Sequence, residues 1–135
     1  MPKQFVIQLA NRPGELAHIA RALAARWIDI EHIASAGHGP VACAFLTTSD
    51  AVATRDVLHG LGLPFVEGDT IIVDIEDVPG GLAQVTDALA SAGVNVVGAL
   101  MVCRHEGKVE MAFAVDDEAR AREALGLSGL ALAGL

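Results

Sequence analysis

Apolar and polar positions along the chain switch between two periods, and the switching repeats. Phe5-Val6-Ile7-Gln8-Leu9 and Thr70-Ile71-Ile72-Val73-Asp74-Ile75 are short β-branched or aromatic runs that predict strands. A turn follows each, carrying Asn11 or Asp77, residues whose side chains fold back on their own backbone. Pro13 and Pro79 come next, where proline's fixed φ suits a first helical turn and its missing N–H is no loss. Leu16, Ile19, Ala20, Leu23, Ala24 and Trp27 form one apolar stripe at helical spacing, with Arg21 and Arg26 off it. The stripe assigns Trp27 to core packing. Leu82, Val85 and Leu89 repeat it.

The rest of each half follows the same plan. Ile28–Ala34 and Val94–Val102 read as second strands, and Val41–Thr47 and Lys108–Val115 as third strands. Asp50 and Asp116 are the expected N-caps of second helices, which Gly60 or Gly62 and Gly126 would end. Phe65-Val66 supplies a short fourth strand to the first half. In the second half the uncharged tail 127–135 has no clear turn before such a strand; it either closes the sheet or lies against another subunit.

Asn11–Ala24 and Asp77–Ala90 align over 14 residues without a gap, at a constant offset of 66. Pro, Gly, Leu, Ala, Ala, Leu and Ala are identical in register, and Ile19/Val85, Ile28/Val94 and Ile30/Val96 are conservative. The chain therefore reads as two copies of one unit, residues 1–67 and 68–135. Each copy is strand-helix-strand-strand-helix-strand, an α+β module with both helices on one face of an antiparallel sheet. A unit of this size builds a small core, which gives the duplication a physical reason.

The strand, the Asn/Asp-x-Pro-Gly-x-Leu turn (Asn11–Leu16 and Asp77–Leu82) and the amphipathic helix resemble the ACT domain family, as a tandem pair covering residues 3–67 and 69–135. The resemblance implies two ferredoxin-like βαββαβ modules. It implies small effectors, usually amino acids, bound at the seam between modules, and regulation of metabolic enzymes or transcription. By resemblance the chain is a stand-alone sensor. The alternative is a regulatory subunit of a separate biosynthetic enzyme, similar to the small subunit of acetohydroxyacid synthase.

The turns have the chemistry for an amino acid. A first helical turn leaves backbone N–H groups without internal partners and carries partial positive charge, which suits a carboxylate. Glycine lets a ligand approach closely. The candidate residues are Asn11, Arg12, Pro13, Gly14, Glu15 and Leu16 in one turn and Asp77, Val78, Pro79, Gly80, Gly81 and Leu82 in the other. Ile33, Ala34 and Ser35, and Gly98, Ala99, Leu100 and Met101, are expected to complete pockets from the second strands. Glu15 would compete with an incoming carboxylate, whereas Gly80-Gly81 leaves the second turn unobstructed and Asp77 can accept from an ammonium. The Asp77–Leu82 turn, facing Ile33–Ser35, is the favoured site.

Composition narrows the partners. The 135 residues are 53% hydrophobic and 19% charged, which excludes disorder, and no run reaches the length of an apolar membrane span. Nine Lys and Arg against 17 Asp and Glu give a net charge of −8 without any basic cluster, so nucleic acid is not an expected partner. No signal-peptide core is present, so a cytoplasmic location is expected. Exposed sheet edges in so small a fold favour a homodimer or higher homo-oligomer.

No catalytic set is visible, so an enzyme is not expected. Ser35, Ser49, Ser91 and Ser128 lack a nucleophile context, and no phosphate-cradling glycine motif occurs. Cys43 and Cys103 cannot form a disulfide framework and read as small buried hydrophobes. Cys103 and His105 point the same way at a strand end, but His18, His32, His38, His59 and His105 form no zinc-ligand spacing, so no metal or other cofactor is expected.

Overall fold

The computed structural model describes residues 3–127, ten elements in order. They are β1 (Lys3–Ala10), α1 (Glu15–Ala24), β2 (Ile30–His38), β3 (Val41–Thr48), α2 (Ala51–Gly60), β4 (Phe65–Glu76), α3 (Gly81–Ser91), β5 (Val96–His105), β6 (Lys108–Val115) and α4 (Glu118–Ala124). The protein is α+β, with antiparallel strands. Two compact units divide between Glu67 and Gly68. The helices contain no stretch long and apolar enough to cross a membrane.

In the first unit β3 lies between β2 and β1, and β1 neighbours β4. Phe5, Ile7 and Leu9 alternate inward from β1, and Ile19 and Leu23 of α1 and Val57 and Leu58 of α2 close over them. In the second unit β6 lies between β4 and β5. Ile71, Val73 and Ile75 of β4 meet Val109, Met111, Phe113 and Val115 of β6 beneath Leu89 and Ala121. The fourth strand expected for this unit falls in the tail, outside the described residues, although Leu127 at its start packs on this core.

Two strands expected to be separate are one. Phe65-Val66 and Thr70–Ile75 merge into β4, because Glu67-Gly68-Asp69 continues the strand rather than turning. A Cβ at Gly68 would lie 3.2 Å from both the Ala114 Cβ and the Val115 carbonyl, so this glycine admits close strand approach. The second strands begin two residues later than expected and run longer; Ile28 and Val94 are core residues that precede them. Pro13 and Pro79 stand before the N-caps rather than inside the first turns, since the left-handed step into each helix falls on the following glycine. Asp50 caps α2 by accepting from the Ala53 N–H at 3.0 Å. The cap of α4 is Asp117, which accepts from Arg120 at 3.0 Å. Asp116 instead accepts from the Asn95 N–H at 2.9 Å.

All four helices end with a residue in left-handed conformation: Trp27 (φ 57°), Gly62 (φ 69°), Gly93 (φ 73°) and Gly126 (φ 67°). After α1 and α3 the hydrogen bonds match, Trp27 N–H to Ala24 and Ile28 N–H to Leu23 repeating as Gly93 to Ala90 and Val94 to Leu89. Trp27 thus fills a glycine position. The turn points it away from the core stripe and leaves it 94% exposed. Leu16 and Leu82, also expected in the stripe, are exposed in the first turns of α1 and α3.

A left-handed non-glycine residue costs about 1–2 kcal/mol, and the indole buries nothing in return. Trp27→Gly is expected to raise stability by about 0.5–1 kcal/mol, after the extra unfolded-chain freedom of glycine is deducted. Urea unfolding at an unchanged m value measures it; a loss of stability would show that the indole is packed.

Candidate functional site

In each unit a left-handed glycine carries the chain from strand into helix. Gly14 and Gly80 both have φ 91°, act as N-caps and leave the first turn without a side-chain cap. An added Cβ would meet nothing within 4 Å at either, so the requirement for glycine is torsional. First-turn amides lack intrahelical partners and carry the positive end of the helix dipole; at α3 the Gly81 N–H already donates to the Val78 carbonyl at 3.0 Å.

The two turns then diverge. In the first unit Asn11 does not fold back on its own turn: its Nδ2 donates to the Gly39 carbonyl at 2.9 Å, and its N–H to Pro40 at 3.0 Å. Gly37 lies so close that a Cβ there would be 2.6 Å from Asn11 Oδ1. Arg12 pairs with Glu15 across the turn, which sets a carboxylate at the start of α1. This turn is occupied by its own side chains.

In the second unit Val78 and Gly81 stand where Arg12 and Glu15 stand in the first. Gly81 is not an open approach. It is buried, and a Cβ there would lie 2.2 Å from the Glu76 carbonyl oxygen, so α3 begins directly against the end of β4. Gly80 is the exposed glycine of the pair.

A cavity of about 190 Å³ opens beside this turn, lined by Ile75, Glu76, Asp77, Val78, Leu82, Met101, Arg104, Val109 and Met111. Leu82, Met101, Val109 and Met111 make apolar walls. Asp77 and Arg104 supply both signs of charge, with Oδ2 to Nε at 3.2 Å. The volume is below the about 300–1,000 Å³ typical of drug-sized ligands and so suits a smaller molecule. Asp77, Val78, Leu82 and Met101 were expected at a site and come together here. Gly98, Ala99 and Leu100 lie further back on β5, and Ile33, Ala34 and Ser35 lie on β2 of the first unit.

Arg104 is the residue that sequence reasoning missed. Met101 pairs with Met111 and Cys103 with Glu110, so Val102 is an extra residue that bulges β5. Without the bulge Cys103 would share a face with Met101. With it, Arg104 opposes Val109 on the core face and reaches Asp77. The repeat offset carries the signal: Val96 stands 66 residues after Ile30, but Lys108 stands 67 after Val41.

The bulge turns Cys103 and His105 to the opposite face, beside Asp74 and Glu110. Neither cysteine is the buried hydrophobe expected, because both lie on strand faces that no helix covers and are exposed. Local desolvation pushes the Cys103 thiol pKa up, and the Glu110 charge, its hydrogen bond with the thiol and the Asp74 charge add to that shift.

Residues 70–126 match the family model of the ACT domain. Among solved structures, a protein of Bacteroides thetaiotaomicron is 21% identical, with 92% of this chain and 85% of that one covered and a TM-score of 0.69. The regulatory subunit of aspartate kinase from Thermus flavus is 22% identical, covering 93% of this chain and 90% of its own, with a TM-score of 0.65. Its counterpart from Thermus thermophilus, in ligand-free form, is 22% identical over 93% and 91%, with a TM-score of 0.60. These likenesses establish a shared ferredoxin-like fold. No curated protein matches the chain.

Two measurements test this geometry. Gly81→Ala is expected to lower stability by about 1–3 kcal/mol through overlap with the Glu76 carbonyl, despite the better helix propensity of alanine. Denaturant unfolding with stability unchanged or raised would show that α3 has room to move. In a Cys43→Ser background, ultraviolet titration in the presence of chelator should show Cys103 ionising above the range of free cysteine. Glu110→Gln should bring that titration down.

Proposed function

We propose that this chain is a non-catalytic regulatory protein of two ACT modules that binds a small amino acid at the Asp77–Leu82 turn. The observation that carries the reading is the small cavity lined by the Asp77–Arg104 pair, with Glu76 held by Lys108, beside a helix start without a side-chain cap. A free amino acid is a zwitterion with a short side chain. Its ammonium pairs with Asp77, its carboxylate with Arg104 and the amides of α3, and its side chain with Leu82 and Met101. The ligand must open the Asp77–Arg104 pair, but an exposed pair of this kind is worth only about 0–1 kcal/mol. The ligand's two charges take the place of that pair, so neither Asp77 nor Arg104 is left without a partner.

The first turn is the weaker candidate, because Arg12, Glu15 and Asn11 already satisfy one another or the neighbouring hairpin. Regulation in this reading passes through contacts with other subunits, in a homo-oligomer in the cytoplasm. A second reading, a regulatory subunit of a separate amino-acid biosynthetic enzyme, draws support from the fold shared with aspartate kinase regulatory subunits. Co-purification with a catalytic chain distinguishes it.

A thermal-shift screen of the twenty amino acids tests the primary reading. A ligand at 100 times its dissociation constant should add about 2.7 kcal/mol of stability. Asp77→Ala and Arg104→Ala should each abolish the shift, and Asn11→Ala should leave it. Equal losses in all three variants, or no shift with any amino acid, would overturn the assignment.

A further inference from the structure

The second unit carries a second constellation, on the sheet face opposite the core. β4, β6 and β5 are adjacent, and their registers set Asp74 opposite Glu110 and Glu110 opposite Cys103 in one rung. His105 stands two residues beyond Cys103 on the same face. One ligand atom from each of Cys103, His105 and Glu110 falls within 4.8 Å of the others. Cys103 Sγ is 3.7 Å from Glu110 Oε2. His105 Nε2 is 3.9 Å from Glu110 Oε2 and 3.7 Å from Asp74 Oδ1.

These spacings suit a tetrahedral ion. Bonds of about 2.3 Å to sulfur and about 2.0–2.2 Å to nitrogen or oxygen give ligand–ligand edges of about 3.3–3.6 Å. The Cys103–Glu110 and His105–Glu110 distances lie a few tenths of an ångström outside these edges, the third side of that triangle is within 4.8 Å, and Asp74 joins the group through His105. The donor set, one thiolate, one imidazole and one carboxylate with a second carboxylate beside the imidazole, favours zinc-class ions over magnesium or calcium, which take oxygen ligands. Two carboxylates directly opposite each other across a ladder repel, and a bound cation reverses that. Lys108, opposite His105 in the ladder, pairs with Glu76, and Arg104 lies on the other face with Asp77.

The first unit supplies an internal contrast. Its equivalent rung is Gln8, Cys43 and Ala36, with His38 beyond. The hairpin geometry is retained there, but the ligand set is not.

We propose that Cys103, His105 and Glu110, with Asp74 beside His105, form a binding site for a thiophilic divalent cation of the zinc class on the outer face of β4, β6 and β5. The site is separate from the cavity at Asp77 and independent of the amino-acid reading, since no side chain is shared. The bulge at Val102 serves both, because it sends Arg104 one way and Cys103 and His105 the other.

The test uses the full-length untagged chain titrated with cobalt(II) and then zinc. One equivalent of cobalt should give a near-ultraviolet thiolate-to-cobalt charge-transfer band and the visible bands of a tetrahedral ion, and zinc should displace both. Cys103→Ser should abolish the thiolate band, while Cys43→Ser keeps it. His105→Gln and Glu110→Gln should each weaken zinc binding by more than about 100-fold, beyond the 10–100-fold typical of an outer-shell partner. Circular dichroism of each variant separates loss of a ligand from loss of fold. Failure of the thiolate band in the folded wild-type chain, its loss in Cys43→Ser, or zinc affinity unchanged in the folded variants would overturn the site.

Discussion

The second unit depends on β6 being held between β4 and β5. Val109, Met111, Phe113 and Val115 face the helices while Ala112 and Ala114 are buried on the other side, so this strand has no solvent face along most of its length. Slipping this strand by one residue would turn Val109, Met111, Phe113 and Val115 out of the core beneath the helices. Its register is therefore rigid, and β5 must absorb any mismatch. The extra residue at Val102 does so as a bulge. Two chemistries follow from that displacement: a guanidinium facing the turn before α3, and a thiol and imidazole beside two carboxylates on the opposite face.

The two halves share a scaffold and differ in what fills it. Both place a left-handed glycine before the helix and leave the first turn uncapped. The first half then satisfies its own turn, with Arg12 against Glu15 and Asn11 bound to the following hairpin. The second half removes the carboxylate from the helix start by using Gly81, and packing uses the space gained, drawing α3 onto the Glu76 carbonyl. What remains open lies beside the helix, over Leu82 and Met101, with Asp77 and Arg104 at its edge. An acidic chain of net charge −8 thus keeps one guanidinium at the cavity where an anionic group can reach it.

Much of this architecture was legible in the residues. The duplicated Pro-Gly turn located both helix starts, and the alternating runs located the strands to within a few residues. Asp50, Gly62 and Gly126 marked boundaries through local hydrogen bonding and left-handed backbone, properties that do not depend on distant contacts. Trp27, Leu16 and Leu82 continue an apolar period that gives only angle around the helix; the left-handed turn takes Trp27 off it, and Leu16 and Leu82 stand exposed in the first turns. Asp116 and Asp117 are adjacent acids of equal capping propensity, and only the partner N–H of Asn95 assigns them different tasks.

By itself the sequence determined the repeat, the strand and helix order, the glycine-dependent turns and the acidic, apolar composition, because each rests on spacing or on the torsional habits of single residues. Tertiary structure decided which side chains share a face, since the bulge at Val102 in β5 inverts the alternation for everything after it. That inversion brought Arg104 to Asp77 and gathered Cys103, His105, Glu110 and Asp74 from three strands. Cross-strand neighbours are set by register, and register is a property of paired strands, not of either one alone.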